Sequence, residues 1–227
     1  MKPYSISVII PTHNEAENID ALLSYLHNLD DTLEIIVADA GSTDKTVEKA
    51  KHLSHIVQSA KGRGVQMNEG AKAAGGDVLW FIHADCYPPP DAVDEIHRAL
   101  RNPAVVGGGF EYALNHPAFR FRVVEFLSNR KNHLLKWLFG DMGIFIRREI
   151  FEKMGGYAEI PLMEDMDFSK RLKQYGKIVI LPQRMKTSAR RWIEDGYVFH
   201  SLRSWIFQST WSLGVSPETL SKYYKFK

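Results

Sequence analysis

The chain carries two short acidic clusters of a kind that does chemistry. His83-Ala84-Asp85 closes the apolar run Val78-Leu79-Trp80-Phe81-Ile82, and Met163-Glu164-Asp165-Met166-Asp167 gathers three carboxylates. A strand that buries Trp80 and Ile82 and then delivers a carboxylate to its tip suits Asp85 as a ligand for Mg2+ or Mn2+. These ions take oxygen ligands and bridge phosphates. Asp165, with Glu164 beside it, suits general-base work toward a hydroxyl where water is restricted. On spacing alone both clusters also have plainer readings. Asp85 could cap the chain ahead of Pro88-Pro89-Pro90, and the acids at 164–167 could simply complement the positive end of a helix.

Three further segments offer ligand contacts. In Asp39-Ala40-Gly41-Ser42-Thr43-Asp44, the Asp39 carboxylate at a strand end can accept hydrogen bonds from a ribose or a base N–H. Gly41 permits a sharp turn and a close backbone approach, and Ser42 and Asp44 can cap the next helix. The same residues also make an ordinary strand-to-helix turn. Lys61-Gly62-Arg63-Gly64 sets two cations among small residues ahead of a helix, which suits an anion site or a solvated loop. It lacks the Gly-Lys-Ser/Thr ending of a P-loop. Ala189-Arg190-Arg191-Trp192 presents two guanidiniums beside an indole, suited to diphosphate oxygens, although a surface pair is the commoner outcome. His200 is a candidate third metal ligand if the tail folds back, but a lone histidine is more often structural.

The elements that must position these residues alternate. Short apolar strands are expected at 6–10, 34–38, 55–58 and 78–82, with helices at 19–29, 44–53 and 65–74 and with Asn14 or Asn18 as caps. Such alternation defines an α/β fold with a mostly parallel central sheet and helices on both faces. Ligands of such sheets lie beyond the carboxyl ends of the strands. Segments 11–15, 39–44 and 83–86 should therefore converge on one crevice. The second half is less regular. It predicts strands at 105–112, 143–147 and 178–181, the last ended by Pro182, a partly helical stretch at 116–139 and a helix at 165–175. The expected organisation is a single domain, 1–227. Its halves are 1–112 for a nucleotide ligand and 113–227 for its co-substrate, ending in a helical, aromatic tail.

Composition narrows the class. The 227 residues are 44% hydrophobic and 25% charged, as in globular domains. With 29 basic and 27 acidic residues the formal charge is +2, which gives no electrostatic case for nucleic-acid binding. Cys86 is the single cysteine, so no internal disulfide forms. The first residues lack the pattern of a signal peptide, and the charge-free stretch 204–217 is too short and polar to span a bilayer. The expected compartment is the cytoplasm, with a peripheral position on the inner face of the cell membrane kept open. Segment 116–139 interleaves Arg120, Arg122, Arg130, Lys131 and Lys136 with aromatic and leucine residues. The tail adds Trp205, Ile206, Phe207, Trp211, Tyr223, Tyr224 and Phe226 with Lys222, Lys225 and Lys227. Such stripes are usually core or a homodimer face, and they also suit an anionic membrane or a lipid-linked co-substrate.

Taken in order, Val8-Ile9-Ile10-Pro11-Thr12-His13-Asn14-Glu15, Asp39 to Asp44, His83-Ala84-Asp85 and Glu164-Asp165 closely resemble family 2 of the glycosyltransferases, over about the first 180 residues. Gly62 to Asn68 and Gly140 to Gly143 look like a bacterial subgroup labelled radical-SAM/selenodomain-associated transferase. The resemblance implies a GT-A fold and inverting transfer from a UDP- or GDP-sugar to an acceptor hydroxyl, lipid-linked or otherwise. By position, Pro11, Thr12, Glu15 and Asp39 would hold the nucleoside. Asn14, Gly41, Ser42, Arg63, Asn68, His83, Ala84, Arg190, Arg191 and Trp192 complete the expected substrate contacts. Asp85 would bind Mn2+ or Mg2+, joined by His200. Asp165 would remove the acceptor's proton, with Glu164 contacting the acceptor or orienting Asp165. Two positions depart from the family pattern. His83 stands where the first Asp of Asp-x-Asp is usual, which predicts weaker or pH-dependent metal affinity. Ser188 stands where processive members have Gln ahead of Arg-Trp. Two other readings remain. A nucleotidyltransferase would need a Gly-rich basic loop near the first strand, which 11–15 lacks. A non-catalytic sugar-nucleotide-binding module has only His83 in its favour.

Overall fold

The computed structural model describes residues 4–224. Met1, Lys2 and Pro3, read above for a leader, and Lys225, Phe226 and Lys227 of the aromatic tail lie outside the described residues.

Four parallel strands alternate with helices as the apolar runs predict: β1 (Ile6–Thr12), α1 (Ile19–Leu29), β2 (Glu34–Asp39), α2 (Thr46–Ala50), β3 (His55–Gln58), α3 (Arg63–Ala73) and β4 (Val78–Phe81). They pair in the order β3-β2-β1-β4. The register sets Thr12 opposite Asp39 and Asp39 opposite Gln58, so the strand tips end level. The rest of the chain runs β5 (Cys86–Tyr87), α4 (Ala92–Leu100), β6 (Val105–Leu114), α5 (Phe119–Leu135), a 3-10 turn at Gly140–Met142, β7 (Ile144–Arg147), α6 (Arg148–Lys153), α7 (Glu164–Leu172), β8 (Lys177–Thr187), α8 (Arg190–Glu194), α9 (Tyr197–Ser212) and α10 (Pro217–Ser221). One eight-stranded sheet, β3-β2-β1-β4-β7-β6-β8-β5, passes through both halves. Its first half is wholly parallel. Its second half is mixed, because β7 runs antiparallel to β4 and β6, and β5 runs antiparallel to β8.

Helices cover both faces. Val8 and Ile10 of β1 point into a core with Leu22, Leu26, Trp80 and Ile96, while Ile9 points the other way, against Met67, Phe81, Phe151 and Phe168. This is the period-two alternation of a strand buried on both sides. Among the described residues no helix is long and apolar enough to cross a membrane.

Several local expectations are corrected. β8 does not stop at Pro182. Leu181 pairs with Phe110 and Arg184 with Glu111, so Pro182 and Gln183 bulge out and the ladder continues to Thr187. Helix α2 is only five residues long. Asn14 caps nothing. It adopts a left-handed φ of 56°, and its side-chain oxygen accepts from Thr43 N at 2.9 Å. Asn18 stands at the start of α1 but turns its amide to Glu15, 2.7 Å away.

Helix α5 reverses the usual arrangement. Its inward face carries Glu125, Asn129 and Asn132, all buried, while Phe119, Phe126 and Leu134 face out. The reason lies in β6, which pairs with β7 only at Gly107 and Gly108 and leaves its later residues with an open edge. Asn129 accepts from Tyr112 N at 3.1 Å and donates to Tyr112 O at 3.0 Å, and Glu125 accepts from Leu114 N at 2.6 Å. Polar side chains of a helix thus complete a strand edge that no neighbouring strand reaches. The expectation that the aromatic stripes of 116–139 and the tail are core fails for Phe119, Phe126, Leu134, Trp205 and Ile206, which are exposed, and holds for Phe121 and Phe207.

Candidate active site

A cleft of about 530 Å3 opens at the carboxyl ends of β1 and β4 and is roofed by α5, α8 and α9. Pro11, Thr12, Glu15, Arg63, His83, Ala84, Asp85, Asp165, Arg190, Arg191, Trp192 and His200 all line it. Segments 83–85 and 190–192 and the single residue Asp165, far apart in sequence, thus meet in one cleft.

The first wall is laced by short polar bonds. Thr12 Oγ1 donates to the buried Asp39 carboxylate at 3.0 Å, and Ser42 donates to it through N at 2.9 Å and Oγ at 2.5 Å. Asn14 N donates to Ser42 Oγ at 2.9 Å. Gly41 makes the turn with φ +71°. Gln66 donates from Nε2 to Thr12 O and Ala38 O at 2.8 and 3.0 Å, locking two strand tips together. Asp39, Asn14, Gly41 and Ser42 therefore do not line the cleft. They fix Thr12 and Ala40, which do. Burial raises the pKa of Glu15. The hydrogen bond from Asn18 opposes this, and the charge of Asp85 adds to it.

Beyond β4, His83, Asp85 and Cys86 bring one potential ligand atom each within 4.8 Å of one another, the one such trio among the described residues. Their chemistry differs. Cys86 is buried, burial pushes its thiol far up, and it donates to Thr187 Oγ1 at 3.4 Å, so it stays a thiol. Burial, and then the charge of Arg63, pull His83 down to about 4. The imidazole is therefore neutral at ordinary pH, and the expected pH dependence through His83 moves to acid conditions. Asp85 supplies the hard oxygen donor of the trio. Gly140 packs closely against the His83 ring, and a Cβ at this position would strike the imidazole.

The opposite wall begins at α7. Met163 takes a left-handed φ of 67° and turns the chain so that Glu164 and Asp165 open the helix. Glu164 does not face the cleft. It is buried and paired with Arg63 Nε at 2.7 Å. Asp165 does face it, accepting from Gly140 N at 3.3 Å and from Met166 N at 2.8 Å. Burial, reinforced by the neighbouring Glu164 and opposed by Arg63, raises its pKa to about 7. Asp141, next to Gly140, is raised to about 6 by burial and then by Asp85. Burial lowers Lys131, on α5, to about 8. Among the described lining residues, the acids Glu15, Asp85, Asp141 and Asp165 face the cations Lys61, Arg63, Lys131, Arg190, Arg191 and Arg203. Arg63 and Arg203 are paired with Glu164 and Asp195 behind the wall, and the cluster of guanidinium and ammonium groups suits a multiply charged anion.

His200 lines the cleft but stands outside the His83, Asp85 and Cys86 trio. Its ring packs at a tilt against Trp192, with centroids 4.4 Å apart, and Nδ1 lies 3.1 Å from the Asp195 carboxylate, which leaves Nε2 as the nitrogen for a metal. Asn68 is corrected outright. Its amide group is engaged with the Tyr157 backbone, donating at 2.9 Å and accepting at 2.8 Å, and it does not line the cleft. The sequence reading missed Asp141, Lys131, Gln66 and Arg203. Of these, only Asp141 carried a legible signal, as an acid between the glycines of Gly140-Asp141-Met142-Gly143.

A parallel half-sheet whose tips open on a cation-rich cleft, extended by an antiparallel β7 and a helix that begins Glu-Asp, is the GT-A architecture of nucleotide-sugar transferases. The chain belongs to the family described as glycosyl transferase family 2, whose model matches residues 7–155. A dolichol-phosphate mannosyltransferase of Pyrococcus furiosus is 36% identical over 116 residues, 47% of this chain and 33% of its own length. The probable glycosyltransferase YdaM of Bacillus subtilis is 28% identical over 98% of this chain and 58% of its own. The chain thus spans only a third to about three fifths of the length of these relatives. Among solved structures, a mannosyltransferase from Pyrobaculum calidifontis in complex with GDP-Man and Mn2+ superposes with a TM-score of 0.65. Its identity is 21%, over 82% of this chain and 57% of its own.

Proposed function

We propose that the protein transfers a sugar from a UDP- or GDP-sugar to an acceptor hydroxyl with inversion at the anomeric carbon. The observation that carries the reading is the meeting in one cleft of Asp165, held near pKa 7, with Asp85 and the guanidinium groups of Arg63, Arg190 and Arg191. A base with a pKa near the working pH is most effective at taking a proton in the transition state. In this scheme the Asp165 carboxylate takes the acceptor's hydroxyl proton, and the freed oxygen pair bonds to the anomeric carbon. The bond from that carbon to the phosphate oxygen breaks, and the nucleoside diphosphate leaves with its electrons.

Thr12 and Glu15, steadied by Asp39, Asn14, Gly41 and Ser42, are the proposed nucleoside contacts. Arg63, Arg190 and Arg191 are proposed for the diphosphate, with His83, Ala84 and Trp192 beside the sugar. Glu164 acts through Arg63, orienting it beside Asp165. Asp85 is the proposed oxygen ligand, and His200 through Nε2 a proposed second ligand, for a hard divalent ion, Mn2+ or Mg2+, which when bound would supply positive charge to the departing diphosphate. The same reading places the protein among the radical-SAM/selenodomain-associated subgroup, on the blocks at 62–68 and 140–143. A cytoplasmic setting fits the nucleotide donor and the free Cys86. A peripheral membrane position and a lipid-linked acceptor complete it, supported by the similarity to a dolichol-phosphate mannosyltransferase of Pyrococcus furiosus.

The test is Asp165→Asn. It should keep the thermal shift given by UDP- or GDP-sugars with Mn2+, while transfer falls about 10²- to 10⁴-fold. Transfer at the parent rate would sink the assignment of the base.

A further inference from the structure

We infer that α5 and α9 together form a membrane-docking surface for an anionic bilayer, directly over the roof of the cleft. The inference deepens the proposed function, on which it relies only for the role of the cleft beneath.

Two contacts fix how the helices lie. Arg120 sits over the Tyr197 ring at 5.1 Å, and Lys131 Nζ donates to Gln208 Oε1. The second contact is 11 residues beyond the first on each helix (120 to 131, and 197 to 208), so α5 and α9 run side by side and parallel. Going round α5 at about 100° per residue, the order is the outward residues Phe119, Val123 and Leu134, then the contact residues Arg120 and Lys131, then the cleft residues Ser128 and Asn132. Going round α9, the order is Leu202, Ile206 and Leu213, then Gln208, then Ser204 and His200. The two sequences turn in opposite senses. For parallel neighbours that puts both outward stripes on one side of the two-helix layer and both cleft-facing stripes on the other.

The outer side is unusually apolar. Phe119 is 79% exposed, Leu134 81% and Leu213 86%, with Phe126, Phe199 and Ile206 each more than half exposed. A monomer seldom shows so many large apolar side chains together without a partner for them. Charge selects the partner. Between 119 and 136 the single acid is Glu125, which is buried, whereas Arg120, Arg130 and Lys136 are exposed. From 197 to 213 the one residue carrying a full charge is Arg203, which is paired with Asp195. A second copy of this chain would bring the same cations against the patch with no acid to meet them. A bilayer rich in anionic headgroups meets both the cations and the apolar stripes, as at an interfacial amphipathic helix. The cleft then lies one helix layer, about 10 Å, from the headgroups, so an acceptor anchored in the lipid reaches it without leaving the interface.

The full chain should co-sediment with phosphatidylglycerol vesicles at least about tenfold more strongly than with phosphatidylcholine vesicles, and less so at high salt. Leu134→Glu combined with Ile206→Glu should remove at least about nine tenths of that binding while keeping Tm and the donor-induced thermal shift. Arg120→Gln with Arg130→Gln should erase the preference for phosphatidylglycerol. A parent protein that stays off both vesicle types overturns the inference, as does a double glutamate variant that sediments like the parent. If the parent instead forms a dimer that the glutamate pair dissolves, and neither binds vesicles, the surface joins two copies and the bilayer is rejected. The donor-induced shift is read separately. Its absence with vesicle binding intact would sink the transferase reading and leave the docking surface standing.

Discussion

The strand tips of the parallel half and the α5–α9 layer face each other across one cleft, yet they are built by opposite rules. Around β1, β2 and β4 apolar side chains are buried and polar ones gather at the tips, as periodicity alone predicts. In α5 the carboxylate and the amides are inside and the phenylalanines outside. The difference teaches that a helix face takes its polarity from what it touches. Here one face touches the open edge of β6, whose N–H and C=O groups need partners more than they need a leucine.

The largest test of that contrast is Asn129→Leu. The hydrophobic scale favours leucine at a buried position, yet the change should destabilise the fold by about 2–5 kcal/mol, because it leaves two buried backbone groups of Tyr112 unpaired. Chemical denaturation reads it, and a neutral result would show that β6 needs no edge partner. A second test uses pH. Burial holds the folded-state pKa of Asp165 near 7, well above the usual carboxylate value. Its contribution to stability is therefore full below about pH 4 and is lost as pH rises through about 7. Asp165→Asn should flatten Tm across that window and leave the variant the more stable of the two at pH 8. Next, Gly140→Ala should cost about 1–3 kcal/mol and should also slow transfer, since its Cβ collides with His83 and displaces the N–H that serves Asp165. The smallest effect is expected for Phe126→Ser, within about 0.5 kcal/mol, because this large ring is already exposed in the isolated chain. Loss of more than about 1 kcal/mol would mean that the outward face of α5 is packed after all.

The legible part of the molecule was the part governed by local pattern. Runs such as 6–10 and 78–82, each followed at once by Pro11 or His83, announce both a buried strand and the place where it delivers its chemistry. Order along the chain then linked Asp39, Asp85 and Asp165. What could not be read depended on partners distant in sequence. Asn68 looked like a ligand contact, but the loop at Tyr157 takes both sides of its amide. Pro182 looked like a stop, but a bulge passes the ladder around it. Glu164 pairs with Arg63, about a hundred residues earlier, and nothing near either residue announces the pair. The outward phenylalanines of α5 could not be told from core residues, because hydropathy does not record that a strand edge lies beneath the helix.

Gly140 and His83 occupy a single shared volume. The imidazole fills the space that any side chain at 140 would need, and the missing side chain at 140 is what gives the imidazole room. The two positions are therefore sterically coupled. An aspartate at 83 would leave room for alanine at 140, whereas with histidine at 83 that alanine carries the cost given above. Engineering the metal site by changing residue 83 alone would leave a void beside the base, so such designs should treat 83 and 140 as a pair.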